Sequence, residues 1–277
     1  LTMRQNQGSL VCKCGRLVGI NEPTCPFCGA WRPGLYGFAP VLQSLIGRRL
    51  DMISAIVTTC VALFGVALLL QPEAITNPRG LLSLLSPGTR ALYQLGMTGG
   101  LAWQLGWWWT MFTAIYLHGG LLHIVFNVMW IRNLGPVAID VYGPARTFVL
   151  FTVAGAFGFL LSNSFSPAPS IGASGSIFGL LAALIVYGKR RGSSLMSQQL
   201  WQWAIVLFVF GFLMPNVNNW AHAGGFAGGW IGAHLMGFID EERESTWVML
   251  LALAFIVVTG LGFFLSFSKV TTMLLGA

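Results

Sequence analysis

The sequence predicts an all-α polytopic membrane protein, and three observations carry that prediction. Of its 277 residues 55% are apolar and only 8% charged, at a mean hydropathy of +0.73, whereas about a quarter of the residues in a water-soluble domain are charged. Seven apolar stretches approach the roughly 20 residues that cross a bilayer core of about 30 Å. The 35 glycines and 11 tryptophans suit helices that approach closely in lipid and rings that gather at the headgroup level. Disorder, collagen and a disulfide scaffold are excluded by the same figures.

Taken in order, residues 1–35 read as a small cytosolic zinc ribbon. Cys12-x-Cys14 and Cys25-x-x-Cys28 supply four thiols at a spacing that closes around one tetrahedral ion, and a segment this short has little core without a metal. A reducing compartment argues against two disulfides. Residues 36–51 are a linker, and the first fifty residues hold no continuous apolar stretch of the kind a secretory signal needs. A core of six membrane helices occupies residues 52–240, and a connecting loop with a seventh helix fills 241–277. The spans run approximately over Met52–Gln71, Leu121–Ile139, Arg146–Ser162, Ser174–Gly188, Leu200–Pro215, Trp220–Phe238 and Trp247–Phe267. Between the first two, Pro72–Gly120 is too broken by Pro and Gly for one helix and too apolar for a free loop. Its second half, with Trp107, Trp108 and Trp109, suits a segment lying in or re-entering the membrane interface.

A net charge of +7 would suggest nucleic acid in a soluble chain. With the amino terminus in the cytosol, however, only Arg79, Arg90 and Lys269 of the 15 basic residues fall outside the cytosolic side. The charge therefore reads as orientation, and no nucleic-acid partner is expected.

Chemistry concentrates in two helix starts, Gly172-Ala173-Ser174-Gly175 and Ala221-His222-Ala223-Gly224-Gly225. Ser174 lies fifteen residues before Lys189, which marks the inner end of its helix; at 1.5 Å per residue this puts the hydroxyl about 8 Å below the outer surface. Counting back from Asp240 places His222 at a compatible depth near the outer edge, within the error of unknown tilt. Gly175-x-x-x-Gly179 on one helix, with Gly224-x-x-x-Gly228, Gly225-x-x-x-Gly229 and Gly228-x-x-x-Gly232 on the other, removes side chains that would hold the two backbones apart. Close packing then brings Ser174 and His222 within hydrogen-bond reach, where a neutral imidazole takes the serine proton during attack on a carbonyl. No Asp or Glu lies from Val141 to Ile239, so a Ser–His dyad is expected rather than a triad. Phe178, one turn after Ser174, is placed to hold the ring. For the tetrahedral oxyanion, the donors expected are His123 and Asn127, four apart on one face, and the Ser174 backbone N–H. His118 is expected to fix the preceding loop by hydrogen bonding.

Singly, Ser174 reads as a helix cap, Asn127 as interhelical glue, and His234 as packing or interfacial. Together, three helices bring three groups needed for serine hydrolysis to one depth. The set His118-x4-His123-x3-Asn127, Gly172-Ala173-Ser174-Gly175 and Ala221-His222-x-Gly224-Gly225 resembles the rhomboid intramembrane serine proteases over roughly residues 50–270. The resemblance implies a rhomboid-like six-helix core plus one carboxy-terminal helix (6+1). It makes Ser174 the nucleophile and His222 the general base, with His123, Asn127 and the Ser174 amide at the oxyanion and Gly172, Gly175, Phe178 and His118 in support. No catalytic cofactor is implied, only structural Zn²⁺ at the four cysteines.

Partners implied are transmembrane protein substrates in the lipid bilayer and a cytosolic partner for the ribbon. The expected setting is a bacterial inner membrane, with the site opening away from the cytosol. Cleavage should favour helix-weakening residues such as Gly or Pro with a small side chain at the cut. The fifth span with Pro215–Asn219 is a candidate cap or lateral gate. Two departures stand out: many rhomboids carry Trp-Arg where Trp109 is followed by Thr110, and some have Tyr where Phe178 stands. The competing readings are a noncatalytic adaptor binding transmembrane segments and a transporter or channel. The first would lack the nucleophile or base, and the second predicts neither helix start and no inverted repeat is apparent.

Overall fold

The computed structural model describes residues 9–11, 16–19, 22–29, 51–72, 85–166, 168–214, 217–238 and 245–276, in two compact units, 1–51 and 52–277. In the first unit, strands β1 (Ser9–Val11) and β2 (Leu17–Gly19) pair antiparallel with Leu10 opposite Val18. Val18 and Cys25 are buried together, and Cys28 is exposed. Cys12 and Cys14 fall outside the described residues, as do linker positions 36–50.

The second unit is helical. Its long helices are α1 (Met52–Leu70), α5 (Leu121–Tyr142), α6 (Pro144–Phe165), α7 (Ser174–Arg190), α8 (Ser194–Leu213), α9 (Asn219–Leu235) and α10 (Thr246–Leu275). Short helices α2 (Thr89–Gln94), α3 (Gly100–Gln104) and α4 (Thr110–Thr113), followed by a 3₁₀ turn at Ala114–Tyr116, fold the segment between α1 and α5. Five of the long helices, α1, α5, α6, α8 and α10, are long and apolar enough to cross a membrane. The chain is thus an all-α polytopic membrane protein in its second unit.

Sequence and structure differ at helix ends. α8 begins at Ser194 rather than Leu200 because the polar turn Ser194–Gln199 is helical although it lies outside the apolar window. α10 continues eight residues beyond Phe267, through Lys269 and two threonines, for the same reason. Hydropathy marks what lipid tolerates, and helical hydrogen bonding runs on into the interface.

α7 is the central helix. Only Ser174, Tyr187, Lys189 and Arg190 escape full burial along it, and Tyr142 at the end of α5 donates its hydroxyl to the Ala183 carbonyl at 2.7 Å. α6 and α9 pack against it and each other. Lipid gives helices no net hydrophobic reason to associate, so close backbone approach and dispersion must do it. A methyl group added at Gly225 would meet the Gly175 carbonyl, one at Gly229 the Gly179 carbonyl, and one at Gly158 the Ala221 oxygen at 2.5 Å. These glycines set how near the three backbones come, and therefore where the helix starts stand. At the opposite end, Lys189 lies 5.1 Å from the Trp230 ring, a cation at a helix carboxy terminus where its charge is favoured.

Candidate active site

Gly172 begins the site. Its φ of +121° is one that residues with a Cβ rarely adopt, and a Cβ there would lie 2.6 Å from His123 Nε2. Glycine is needed for both reasons. The turn delivers Ser174 as the first residue of α7, so its backbone N–H has no partner within the helix. The hydroxyl of half-buried Ser174 lies 2.9 Å from His222 Nε2, and His222 is 7% exposed. On the other side of the imidazole, Nδ1 is 3.2 Å from Asn219 Oδ1. An amide oxygen can only accept, so this contact puts the ring proton on Nδ1 and leaves Nε2 as the acceptor for the serine O–H. The Phe178 ring stacks on the imidazole with centroids 4.5 Å apart and planes 21° from parallel. Phe208 of α8 meets Phe178 edge-on.

The second helix start is fixed by Asn218, the N-cap of α9. Its Oδ1 accepts from the Trp220 and Ala221 N–H groups at 3.1 and 3.2 Å, and its Nδ2 donates to Ser162 Oγ at 2.5 Å and Ser170 Oγ at 3.3 Å. One side chain thus caps the helix bearing His222 and ties it to α6 and to the strand-like segment just ahead of Ser174. That segment is gripped at two points. Thr98 and Ser170 exchange backbone hydrogen bonds of 3.3 and 2.8 Å, and the Gly172 N–H donates to the Ala114 carbonyl at 2.9 Å.

His123 and Asn127 share a face of α5. Gly119 N–H donates to His123 Nδ1 at 3.2 Å, which leaves the proton on Nε2, the atom facing Gly172. Asn127 is 4% exposed and turns one amide N–H back to the His123 carbonyl at 2.8 Å, leaving its second amide hydrogen outside that bond. The His118 ring packs edge-on against His123 with centroids 5.1 Å apart. It is 1% exposed, so it fixes the loop by filling space between the 3₁₀ turn and α5.

Thr110 donates its hydroxyl hydrogen to the Trp107 carbonyl at 2.6 Å and accepts from the Thr98 hydroxyl at 3.0 Å, and Asn163 donates to the same Thr98 oxygen at 3.1 Å. Sequence reading missed Asn218, Asn219, Thr98 and Asn163. The first two carried a signal, an Asn pair immediately before a glycine-rich helix, which is the composition of an N-cap. Among the described residues of the helical unit the carboxylate is Asp140, seventeen residues along α5 from His123, about 25 Å away. Asn219 therefore stands where a triad carboxylate would. Cys25 and Cys28 belong to the other unit, where Cys25 O accepts from the Gly29 N–H at 2.9 Å. No group of three or more metal-ligating side chains occurs among the described residues.

This chain is similar to several known proteins. Residues 105–239 match the Rhomboid domain. The Rhomboid protease GluP of Bacillus subtilis is 33% identical over 177 residues, covering 61% of this chain and 35% of GluP. YdcA of the same organism is 32% identical over 159 residues, 55% of this chain and 74% of YdcA. RHOMBOID-like protein 1 of Arabidopsis thaliana is 31% identical over 153 residues, 50% of this chain and 36% of that protein. The chain belongs to the rhomboid family. It spans about a third of the length of GluP and of RHOMBOID-like protein 1.

Proposed function

We propose that this protein is an intramembrane serine endopeptidase acting through a Ser174–His222 dyad on peptide bonds in or beside transmembrane segments of other proteins. The 2.9 Å contact between the serine hydroxyl and the imidazole carries this reading, and the protease names of relatives such as GluP support it.

His222 Nε2 takes the hydroxyl proton as Ser174 Oγ bonds to the carbonyl carbon, whose π electrons move onto its oxygen. That oxyanion is met by the Ser174 N–H at the helix start and by His123 Nε2–H, with the second hydrogen of the Asn127 amide as a further donor. The tetrahedral intermediate collapses with cleavage of the C–N bond, and His222 returns the proton to the departing amine. Water then repeats the sequence on the acyl-enzyme. Asn219 and Phe178 hold the imidazole through both halves.

Counting the 17-residue helices α7 and α9 as spans gives a 6+1 arrangement, with α10 as the extra helix. The amino terminus then lies in the cytosol and the site opens on the far side. α8 is the gate: its span is 22% buried, with Phe212 and Leu213 exposed at its end. Of the adjoining cap, Pro215 and Asn216 lie outside the described residues.

The amino-terminal unit is proposed as a structural zinc site. The buried Cys25 and the Cys25–Gly29 turn, closed by Gly29 at φ +68°, fit one ligand-bearing knuckle, and Cys12 and Cys14 in the β1–β2 link would supply the other pair. The metal would staple a segment too small to hold itself. Metal analysis of the purified full chain should find about one zinc per chain, lost on Cys25→Ser.

A fluorophosphonate probe on the purified protein tests the dyad. Labelling should vanish in Ser174→Ala and slow greatly in His222→Ala, in step with cleavage of a test transmembrane substrate in liposomes. Cleavage retained by Ser174→Ala overturns the mechanism. A chain that neither labels nor cleaves fits the noncatalytic adaptor instead.

A further inference from the structure

The helix α10 lies outside the set that carries Ser174, His222, His123 and Asn127, yet it does not simply float beside them. Its buried and half-buried positions Ala252, Phe255, Thr259, Gly262 and Ser266 recur every three or four residues and, with Phe263 beside them, form one stripe. The opposite face, Leu253, Val257, Leu261 and Phe264, is exposed and suits lipid. The stripe faces α6 and the folded segment between α1 and α5. Trp109 Nε1–H donates to Ser266 Oγ at 3.0 Å, and Ser266 is fully buried. A Cβ on Gly262 would lie 3.0 Å from Thr113 Cγ2 and 3.3 Å from the Trp109 ring, and one on Gly96 would lie 2.9 Å from Ser266 Oγ. Phe255 stacks on Phe112 and Phe263 meets Tyr116 edge-on.

The residues touched are those that hold the approach to Ser174. Thr113 donates to the Gly96 carbonyl at 2.6 Å, two residues before Thr98 pairs with Ser170. Ala114, next after Thr113, accepts from Gly172. From α10 to the nucleophile the path is therefore Ser266 to Trp109 and Gly262 to Thr113, then the Thr98 and Ala114 backbone, then Ser170 and Gly172, then Ser174. Non-helical backbone at membrane depth persists only where protein covers it, and here α10 supplies part of that cover.

We infer that α10 positions the nucleophile's approach segment, with Ser266 and Trp109 as positioning residues for the reaction. This rests on the proposed protease reading. A hydrogen bond between membrane helices is worth enough to change a rate by about three- to fifteenfold if it acts wholly on the transition state.

The test is a double-mutant cycle, Ser266→Ala, Trp109→Phe and both together, on the full chain in liposomes, with active sites titrated by fluorophosphonate so that rates are per competent serine. Each single variant should lower kcat per titrated site by about three- to fifteenfold with KM within about twofold. The double should be no slower than the slower single, because one bond is lost in all three. Gly262→Val, which crowds both Thr113 and the Trp109 ring, should lower kcat in the same way. A merely structural role would reduce the number of titratable sites and leave kcat per site unchanged, and that result overturns the inference, as does additivity in the cycle. If the wild-type chain neither labels nor cleaves, the protease reading itself falls and this inference falls with it. An active wild type with unaffected variants removes only the role of α10.

Discussion

Gly225→Ala should inactivate the protein while changing one methyl group that touches no substrate. The added carbon would stand 2.6 Å from the Gly175 carbonyl carbon and 2.7 Å from its Cα, where ordinary contacts between carbons are about 3.5–4.0 Å. Both neighbours are backbone of a central helix, so no side chain can swing aside, and α7 and α9 must part by about 1 Å. Ser174 Oγ and His222 Nε2, now 2.9 Å apart, would stand at roughly 3.9 Å, outside hydrogen-bond range. A misplacement of about 1 Å costs on the order of a hundredfold in rate. Overpacking costs about 1–3 kcal/mol, opposed by at most about 1 kcal/mol from replacing a helical glycine with alanine, so the fold should weaken modestly while activity collapses. Cleavage in liposomes, fluorophosphonate labelling rate and thermal unfolding in detergent separate the two effects. Gly175→Ala should be milder, because its nearest atom is the Ala221 oxygen at 3.1 Å, and Gly260→Ala, with nothing within 4 Å, should match wild type. A Gly225→Ala protein cleaving within twofold of wild type would refute the claim that backbone contact sets the site.

Three further outcomes follow from contacts around the imidazole. Phe178→Leu keeps bulk but removes the stacked face, and should lower kcat by about two- to tenfold with KM unchanged, in keeping with an aromatic contact of about 0.5–1.5 kcal/mol. Asn219→Ala should cost a similar factor per titrated serine through loss of the acceptor at Nδ1, whereas Asn219→Asp, which retains an acceptor, should lose less. Asn218→Ala removes a cap worth about 1 kcal/mol together with the ties to Ser162 and Ser170, so its thermal midpoint should fall; Asn218→Asp, keeping the cap oxygen, should recover part of the loss.

Local signals were legible in the sequence, and long-range ones were not. The long helices could be read because each must satisfy its own backbone and face lipid with apolar side chains, so hydropathy and length nearly suffice; their ends were misjudged where polar turns such as Ser194–Gln199 continue the helix. The closeness of Ser174 and His222 was readable from glycines at four-residue spacing on both helices. Thr98, Thr110 and Asn163 carry no comparable pattern: they are ordinary residues 12 to 65 positions apart that meet only because the segment between α1 and α5 folds back over α6. The docking of α10 was hidden likewise, since Gly262 and Ser266 in an apolar helix announce a packed face without naming what covers it.

On the proposed protease reading, helix length resolves the tension between a dry bilayer and a reaction that consumes water. At 1.5 Å per residue, a 17-residue helix is about 25 Å long, short of a core of about 30 Å. If the basic ends of α7, Lys189 and Arg190, are held at the inner surface, its first residue cannot reach the outer one and stops a few Å beneath it. α9, of the same length and running the same way, does likewise. Two polar helix starts below the surface would be costly against lipid, but here each faces the other and is walled by α6, α5 and the folded segment before it. The Ser174 hydroxyl and N–H at the start of α7 then require water or substrate rather than lipid as the remaining neighbour. Lengthening α7 by a turn at its start would carry Ser174 to the headgroups, where a hydroxyl meets water easily but no transmembrane segment can be held against it. On the proposed protease reading, the shortness of the two central helices is therefore what would make a serine at that position useful for cutting a chain that lies in the membrane.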